Sequence, residues 1–253
     1  PSLPLHVAKS RHFQIGQALW KQQTQNLLKT QLSTEYQALF RTISKASIET
    51  LSWPDRAPLD NLFEMVNHLN LGSAWVTAEP CLLQVGWLNL VAGQKALDEN
   101  AYEAAQRYFE QGIKLGARDG SLAPSSLTQA LSLGAAKSAC LLGQWPRMTE
   151  WIEQILRREH SILDAIAAYE LQIEAAHAEN QLLKAIELTL SILTQLGFSF
   201  PIQPEFELIG EALGTTAAEV SKYSVEEIVA FSEMRSPESL AVMRLIAAII
   251  TPC

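Results

Sequence analysis

The sequence lacks the residue patterns on which most catalytic and metal sites are built. It contains no GxxxxGK[ST] run, whose backbone amides would cradle phosphate groups, and residues 116–120 (GARDG) lack the lysine and the final hydroxyl. The five histidines never form HxxxH or HExxH, and no GxSxG nucleophile turn occurs. We therefore predict a chain that is not itself an enzyme, with no catalytic residue, no cofactor and no metal.

Basic residues, cysteines and long apolar runs are also scarce. Lys and Arg number 19 against 27 Asp and Glu, for a net charge of -8, and no basic cluster occurs, so we expect no nucleic-acid partner. The three cysteines lie far apart without a CxxC pair, which favours a reducing, cytoplasmic setting. The most apolar run, residues 240–250, is short and interrupted by Arg244, so we expect a buried helix and no membrane span.

The sequence does contain one clear helix-turn-helix unit, residues 88–112. Ala92, Gly93 and Ala96 place small residues along one side of a first helix, and Asn100 follows as a turn residue. Small residues let antiparallel helices approach closely, while aromatic residues fill the space beside them. This pattern is typical of the tetratricopeptide repeat, a unit of about 34 residues. The facing residues of the second helix are Tyr102, Ala105, Phe109 and Gly112.

Two weaker copies of this unit follow. Gly143 and Asn180 take the place of Asn100, so the turns lie about 43 and then about 37 residues apart, slightly more than the standard repeat. We therefore predict an all-α fold in which tetratricopeptide-like helical hairpins form a right-handed superhelix. Because small residues at helix crossings occur in any helical bundle, a closed α-helical bundle is the alternative.

The rest of the chain is organised around these hairpins. Residues 1–78 are predicted to be an N-terminal helical lead-in, with a linker over 1–9 and an amphipathic helix over 22–47 that is broken near Ser33 and Thr34. Residues 79–200 hold the three degenerate hairpins, and residues 201–253 continue as further helices. We expect the last of these helices to be cut off within the element.

Several segments, in the same order, resemble one known protein family. Residues 11–19 (RHFQIGQAL), 62–70 (LFEMVNHLN) and 88–96 (LNLVAGQKA) open the series. The set is similar to the helical arm that follows the signal-transduction NTPase (AAA/STAND) module of large multi-domain serine/threonine kinases, many of which continue into GAF sensor and histidine-kinase domains. The later segments are 101–105 (AYEAA), 111–113 (QGI), 167–173 (AAYELQI), 196–198 (LGF) and 240–245 (LAVMRL).

The resemblance implies a non-catalytic interaction and regulatory module that couples an NTPase domain to effector or partner binding. The implied partners are protein segments or domains of the parent kinase, with a small-molecule effector as a further one. The sequence departs from the family over residues 21–58, which intervene between two helices that family members join directly. An alternative function is the small-molecule sensor arm of a STAND-type ATP-dependent transcription activator.

If the hairpins coil into a superhelix, the first helix of each hairpin lines its inward face. The functional interpretation of this face is a groove that binds a partner segment or an effector. The simpler interpretation is that its apolar members pack against adjacent helices. The residues that we select for the candidate groove are Trp87, Gln94, Lys137, Glu170, Glu174 and His177.

Overall fold

The computed structural model of this chain describes residues 5–29, 61–75, 79–117, 125–158 and 161–250. Within these ranges it contains eleven α-helices, one short 3-10 helix and no strand. The prediction of an all-α fold is therefore confirmed.

The helices, numbered in chain order, agree in most places with the predicted ones. The first hairpin begins at the predicted Glu79, and the last helix includes the apolar run at residues 240–250. The α-helices are α1 Leu5–Lys29, α2 Leu62–Leu71, α3 Glu79–Asp98, α4 Tyr102–Gly116, α5 Ser125–Leu141, α6 Trp145–Arg158, α7 Ile162–Ala178, α8 Leu182–Gln195, α9 Phe206–Val220, α10 Val225–Val229 and α11 Pro237–Ile250, and the 3-10 helix is Ser73–Trp75.

The N-terminal region differs from its prediction. The predicted linker over residues 1–9 is wrong from Leu5 onward, because α1 already begins there. Both prolines of this stretch precede Leu5, and a proline ahead of the first turn removes no helical hydrogen bond. Residues 30–47, the larger part of the helix predicted over 22–47, lie outside the described residues.

Contacts divide the chain into two compact units, Pro1–Trp151 (unit 1) and Ile152–Cys253 (unit 2). The division falls within α6. The predicted boundaries after residues 78 and 200 stay predictions.

The three predicted turns share one backbone geometry. Asn100, Gly143 and Asn180 all adopt left-handed φ angles, of 59°, 68° and 58° respectively. At each turn the residue's own amide donates to the carbonyl three residues back, and the next amide donates to the carbonyl five residues back, at 2.7 to 2.9 Å. These two bonds form the Schellman motif, which satisfies the last carbonyls of a helix and ends it. The three predicted helix-turn-helix connections are therefore confirmed.

The core of unit 1 forms where α3, α4 and α5 pack against one another. The side chain of Phe109 on α4 is fully buried, and its ring lies against a glycine of each neighbouring helix. A Cβ atom added to Gly93 on α3, or to Gly134 on α5, would lie 2.5 Å from a ring carbon of Phe109. Only glycine leaves room for the ring at these two positions.

A hydrogen-bonded pair of amide side chains links α2 to α3. Asn89 is fully buried, and its amide nitrogen donates to the Asn70 side-chain oxygen at 2.9 Å. Asn70 returns a hydrogen bond of 2.8 Å to the Asn89 oxygen, and the Asn89 nitrogen also donates to the Val85 carbonyl at 2.8 Å. Buried polar groups specify a packing arrangement only when they are satisfied in this way. The pair therefore fixes the register of α2 on α3.

The core of unit 2 forms where α7, α8 and α11 pack against one another. Ile173 on α7, Ile192 on α8 and Leu245 on α11 are all at most 1 % exposed. The apolar run at residues 240–250 thus buries one of its sides, as predicted, while Met243 on the same helix stays exposed.

Substitution of the two glycines against Phe109 is expected to destabilise unit 1. Gly93→Ala and Gly134→Ala should each lower the free energy of unfolding, because overpacking a buried site costs about 1–3 kcal/mol, more than the gain in helix propensity of up to about 1 kcal/mol. Gly210→Ala on α9 is the matched control, because a Cβ atom there meets nothing within 4 Å. It should gain stability through helix propensity alone.

Denaturant-induced unfolding followed by circular dichroism measures all three glycine variants. A midpoint that is unchanged or raised in Gly93→Ala would contradict the contact between the ring of Phe109 and α3.

Candidate functional site

The six predicted groove residues are divided between the two units. Trp87, Gln94 and Lys137 belong to unit 1, and the other three belong to unit 2. The unit 2 residues are Glu170, Glu174 and His177.

In unit 1, only the polar members of the set are exposed. Trp87 is 5 % exposed and belongs to the hydrophobic core, so it packs within unit 1 rather than lining an open groove. Lys137 is exposed on α5. Gln94 is also exposed, and its amide donates to the Asp98 carboxylate, one turn further along α3, at 3.1 Å.

In unit 2, the three residues follow one another along α7. Both carboxylate oxygens of Glu170 accept from Arg244 on α11, at 2.7 Å from Nε and 2.6 Å from Nη2. This bidentate pair joins two helices of the unit 2 core, so the Glu170 carboxylate has a structural role. Glu174 is half-buried. The ring nitrogens of His177 are both buried and have no hydrogen-bond partner among the described residues.

Two ionisable groups of the described residues, Tyr108 and Glu238, have a shifted pKa. Burial raises the pKa of the Tyr108 phenol, and the hydrogen bond to Asn67 and the charge of Arg107 offset this only in part. A hydrogen bond to its own backbone amide, and a second from the Ser236 hydroxyl, lower the pKa of Glu238 at the start of α11. Core packing and helix capping therefore account for both shifts.

Neither a metal-binding cluster nor a membrane-spanning helix occurs in the described ranges. They contain no group of three His, Cys, Asp or Glu side chains placed to hold a metal ion. No helix in these ranges combines the length and the apolar character needed to cross a bilayer.

The structure reveals a surface that the sequence pattern did not predict, between the core helices α8 and α11. Every residue from Gly197 to Glu238 is exposed, and Phe206 reaches 92 % exposure. We call residues 198–234 the exposed apolar segment. Its large apolar residues are Phe198, Phe200, Ile202, Phe206, Leu208, Ile209, Leu213, Val220, Tyr223, Val225, Ile228, Val229, Phe231 and Met234.

Contacts between residues close in sequence stabilise the local structure of the exposed apolar segment. The rings of Tyr223 and Phe231 meet edge to face, with their centroids 5.1 Å apart. Ser224 and Glu227 form a capping box at the start of α10, with hydrogen bonds of 3.2 Å and 2.8 Å. These contacts order the segment locally but leave its apolar side chains open to solvent.

An exposed apolar surface of this kind is typical of an interaction site. Isolated apolar residues on a surface need no special explanation, but here fourteen occur within one continuous stretch. The chemistry that this surface offers is apolar docking. We take the exposed apolar segment as the candidate functional site.

Comparisons of the chain with protein-family models, with curated protein sequences and with solved structures gave no match. The resemblance to the helical arm of signalling kinases therefore stays a prediction that depends on the segments quoted above.

Replacement of exposed apolar residues on α9 is expected to cost almost no stability. Phe206→Ser and Leu213→Ser should each change the free energy of unfolding by less than about 0.5 kcal/mol, because neither side chain is buried on folding. The control Leu245→Ala, at a fully buried position of unit 2, should cost about 2–5 kcal/mol. Chemical denaturation measures all three. A loss above about 1 kcal/mol in Phe206→Ser would show that this chain itself covers α9.

The ion pair between Glu170 and Arg244 is expected to couple α7 to α11 by about 0.5–1 kcal/mol. Water screens the pair, since the two side chains are 20 % and 43 % exposed, while bidentate geometry strengthens it. A double-mutant cycle with Glu170→Gln and Arg244→Leu isolates this coupling, because it cancels the other contacts of each side chain. The same cycle on the exposed pair Glu153 and Arg157, 3.8 Å apart within α6, should give a smaller value. Equal couplings for the two pairs would contradict a structural role for Glu170.

Proposed function

We propose that this chain is a non-catalytic helical interaction and regulatory module of a multi-domain signal-transduction kinase. In this role it couples an NTPase domain to the binding of a partner or effector. The observation that carries the interaction role is the exposed apolar segment, residues 198–234, which supplies an apolar binding surface. The resemblance to the helical arm of signalling kinases supplies the proposed setting.

The placement of this surface supports a regulatory role. The segment leaves the unit 2 core at the end of α8 and rejoins it at α11. Leu193 near the end of α8 and Val242 on α11 are buried in that core, and Arg244 ties α11 to Glu170 on α7. A partner bound to the segment is thus linked to the unit 2 core through the chain at both ends of the segment.

Coupling follows if the bound partner favours one arrangement of the module over another. A ligand shifts a conformational equilibrium only by the difference between its affinities for the two states. Couplings between sites in one protein are typically about 1–3 kcal/mol, or about 5- to 150-fold in an equilibrium constant. Coupling of this size would be sufficient to switch an attached NTPase domain between a less and a more active state.

The proposal predicts that substitutions on the exposed apolar segment change ATP turnover by the parent protein. The double variant Phe206→Asp with Leu213→Asp should alter the steady-state rate of ATP hydrolysis by about threefold or more, because it abolishes docking on α9. Leu183→Asp is the matched control, because Leu183 is 59 % exposed on the neighbouring helix α8 and lies outside the segment. Its rate should equal that of the unaltered protein.

Rates of ATP hydrolysis that are the same in all three proteins would contradict the proposed coupling. Circular dichroism of each variant confirms that the fold is intact. The 253-residue chain alone should hydrolyse no ATP, and turnover by this chain would contradict a non-catalytic role.

A further inference from the structure

The exposed side of α9 has the residue spacing of a helix-docking seam. Phe206, Ile209, Leu213 and Val220 follow at intervals of three, four and seven residues, which places them along one side of the helix. Thr216 occupies the remaining position of this series. The exposed fractions of the four apolar side chains are 92, 39, 66 and 53 %, in chain order. We call these five residues the α9 seam.

The one hydroxyl group of the α9 seam is already satisfied. The Thr216 hydroxyl donates to the carbonyl oxygen of Ala212, one turn earlier in the helix, at 2.8 Å. A hydroxyl bonded back to its own helix needs no bond to water or to a partner. An apolar partner can therefore cover the whole seam without leaving a polar group unsatisfied.

Two glycines lie next to the α9 seam, and they leave space between the seam and two nearby carboxylates. Gly210 and Gly214 lie between the seam and Glu207 and Glu211 around the helix. A Cβ atom added to either glycine would meet nothing within 4 Å. A docked helix can therefore approach the α9 backbone closely, and its long side chains can reach the two carboxylates across the glycines.

The charges around the α9 seam all have one sign. Glu205, Glu207, Glu211 and Glu219 are the four charged residues of the stretch from 205 to 220, which holds no lysine or arginine. Lys222, just beyond α9, pairs with Glu219. The docking surface therefore presents an apolar centre with an acidic border.

This charge pattern selects among the possible occupants. A second copy of the chain would bring its own Glu207 and Glu211 against the same border, and like charges in contact disfavour binding. Nucleic acid and anionic lipid would bring phosphate groups against it, with the same result. A basic partner gains attraction at the border in addition to burial of apolar surface.

We propose that the α9 seam docks an amphipathic helix of a protein partner, whose apolar stripe is flanked by lysine and arginine. The apolar stripe packs against Phe206, Ile209 and Leu213, as in other helix-on-helix recognition. The flanking cations reach Glu207 and Glu211 across the glycines. This inference rests on the proposed function, because it names the partner of the same exposed apolar segment.

The test uses a fluorescently labelled synthetic peptide of about 18 residues, or about five helical turns, with a leucine stripe flanked by lysines. Fluorescence anisotropy with the 253-residue chain measures its dissociation constant. Two matched peptides each test one feature. In one, glutamate replaces every lysine, which tests the charge; in the other, serine replaces every leucine, which tests the apolar stripe. Both should bind at least about tenfold more weakly than the first, because each lacks one of the two contributions.

Protein variants locate the binding site on the chain. Leu213→Asp should weaken binding of the leucine and lysine peptide by about tenfold or more, since central apolar contacts dominate such interfaces. The control Leu183→Asp introduces the same charge on α8 and should leave the affinity unchanged. Glu207→Gln with Glu211→Gln should weaken binding severalfold and reduce its dependence on salt, because screened charge pairs are lost.

Three results would overturn the inference. The first is equal affinity for the serine and lysine peptide and for the leucine and lysine peptide, which would show that the chain attracts only the charge of the peptide. The second is unaltered peptide affinity in Leu213→Asp. The third is a dimer of the chain, seen by light scattering, that Leu213→Asp dissociates, which would make a second copy the occupant.

The two proposals fail in distinguishable ways. If the basic amphipathic peptide does not bind but the α9 double variant still changes ATP turnover by the parent protein, only the chemistry of the partner is wrong. If neither effect occurs, the role of the exposed apolar segment as a regulatory surface is wrong as well.

Discussion

The seating of the Phe109 ring between two helix backbones is the contact on which the packing of unit 1 depends. A Cβ atom on Gly93 or on Gly134 would stand 2.5 Å from the ring, so α3 and α5 both lie as close to α4 as their backbones allow. Gly112 on α4 repeats this arrangement toward α5, where a Cβ atom would lie 2.7 Å from Leu131. Sliding any of the three helices by one residue would drive a side chain into one of these contacts. Their mutual register is therefore fixed by sterics rather than by charge.

The parts of the fold that could be predicted are those whose cause is local in sequence. A left-handed φ angle needs glycine or asparagine, so Asn100, Gly143 and Asn180 predicted three helix ends at the residues where the structure has them. Small and aromatic residues at helical spacing predicted which sides of the first two hairpin helices face each other, and the structure places Phe109 against Gly93 there. In each case the residues that cause the feature lie within a single helix-turn-helix unit of the sequence.

Sequence reasoning did not establish the features that depend on which distant part of the chain packs against a helix. For Trp87 the sequence left two interpretations open, a groove or packing against adjacent helices, and the residue is buried in the unit 1 core. Glu170 was selected for a groove, yet its carboxylate binds Arg244, which is 74 residues away in the chain. The periodicity of residues 206–220 predicts an apolar side, but the same pattern describes a helix that is covered and one that is not. No local signal could therefore have identified the exposed apolar segment.

The composition of α9 indicates that a bound partner would stabilise this helix. Its centre carries Gly210, Gly214, Thr215 and Thr216, which are weak helix formers, and glycine costs about 1 kcal/mol relative to alanine. Short helices of this length are marginal without tertiary packing, and the side chains of α9 are exposed. Burial of Phe206 and Leu213 under a partner would add about 1.5–3 kcal/mol for each side chain that becomes fully buried. Part of that free energy would stabilise the helix and only the surplus would appear as affinity, so the two glycines favour close and reversible docking over permanent association.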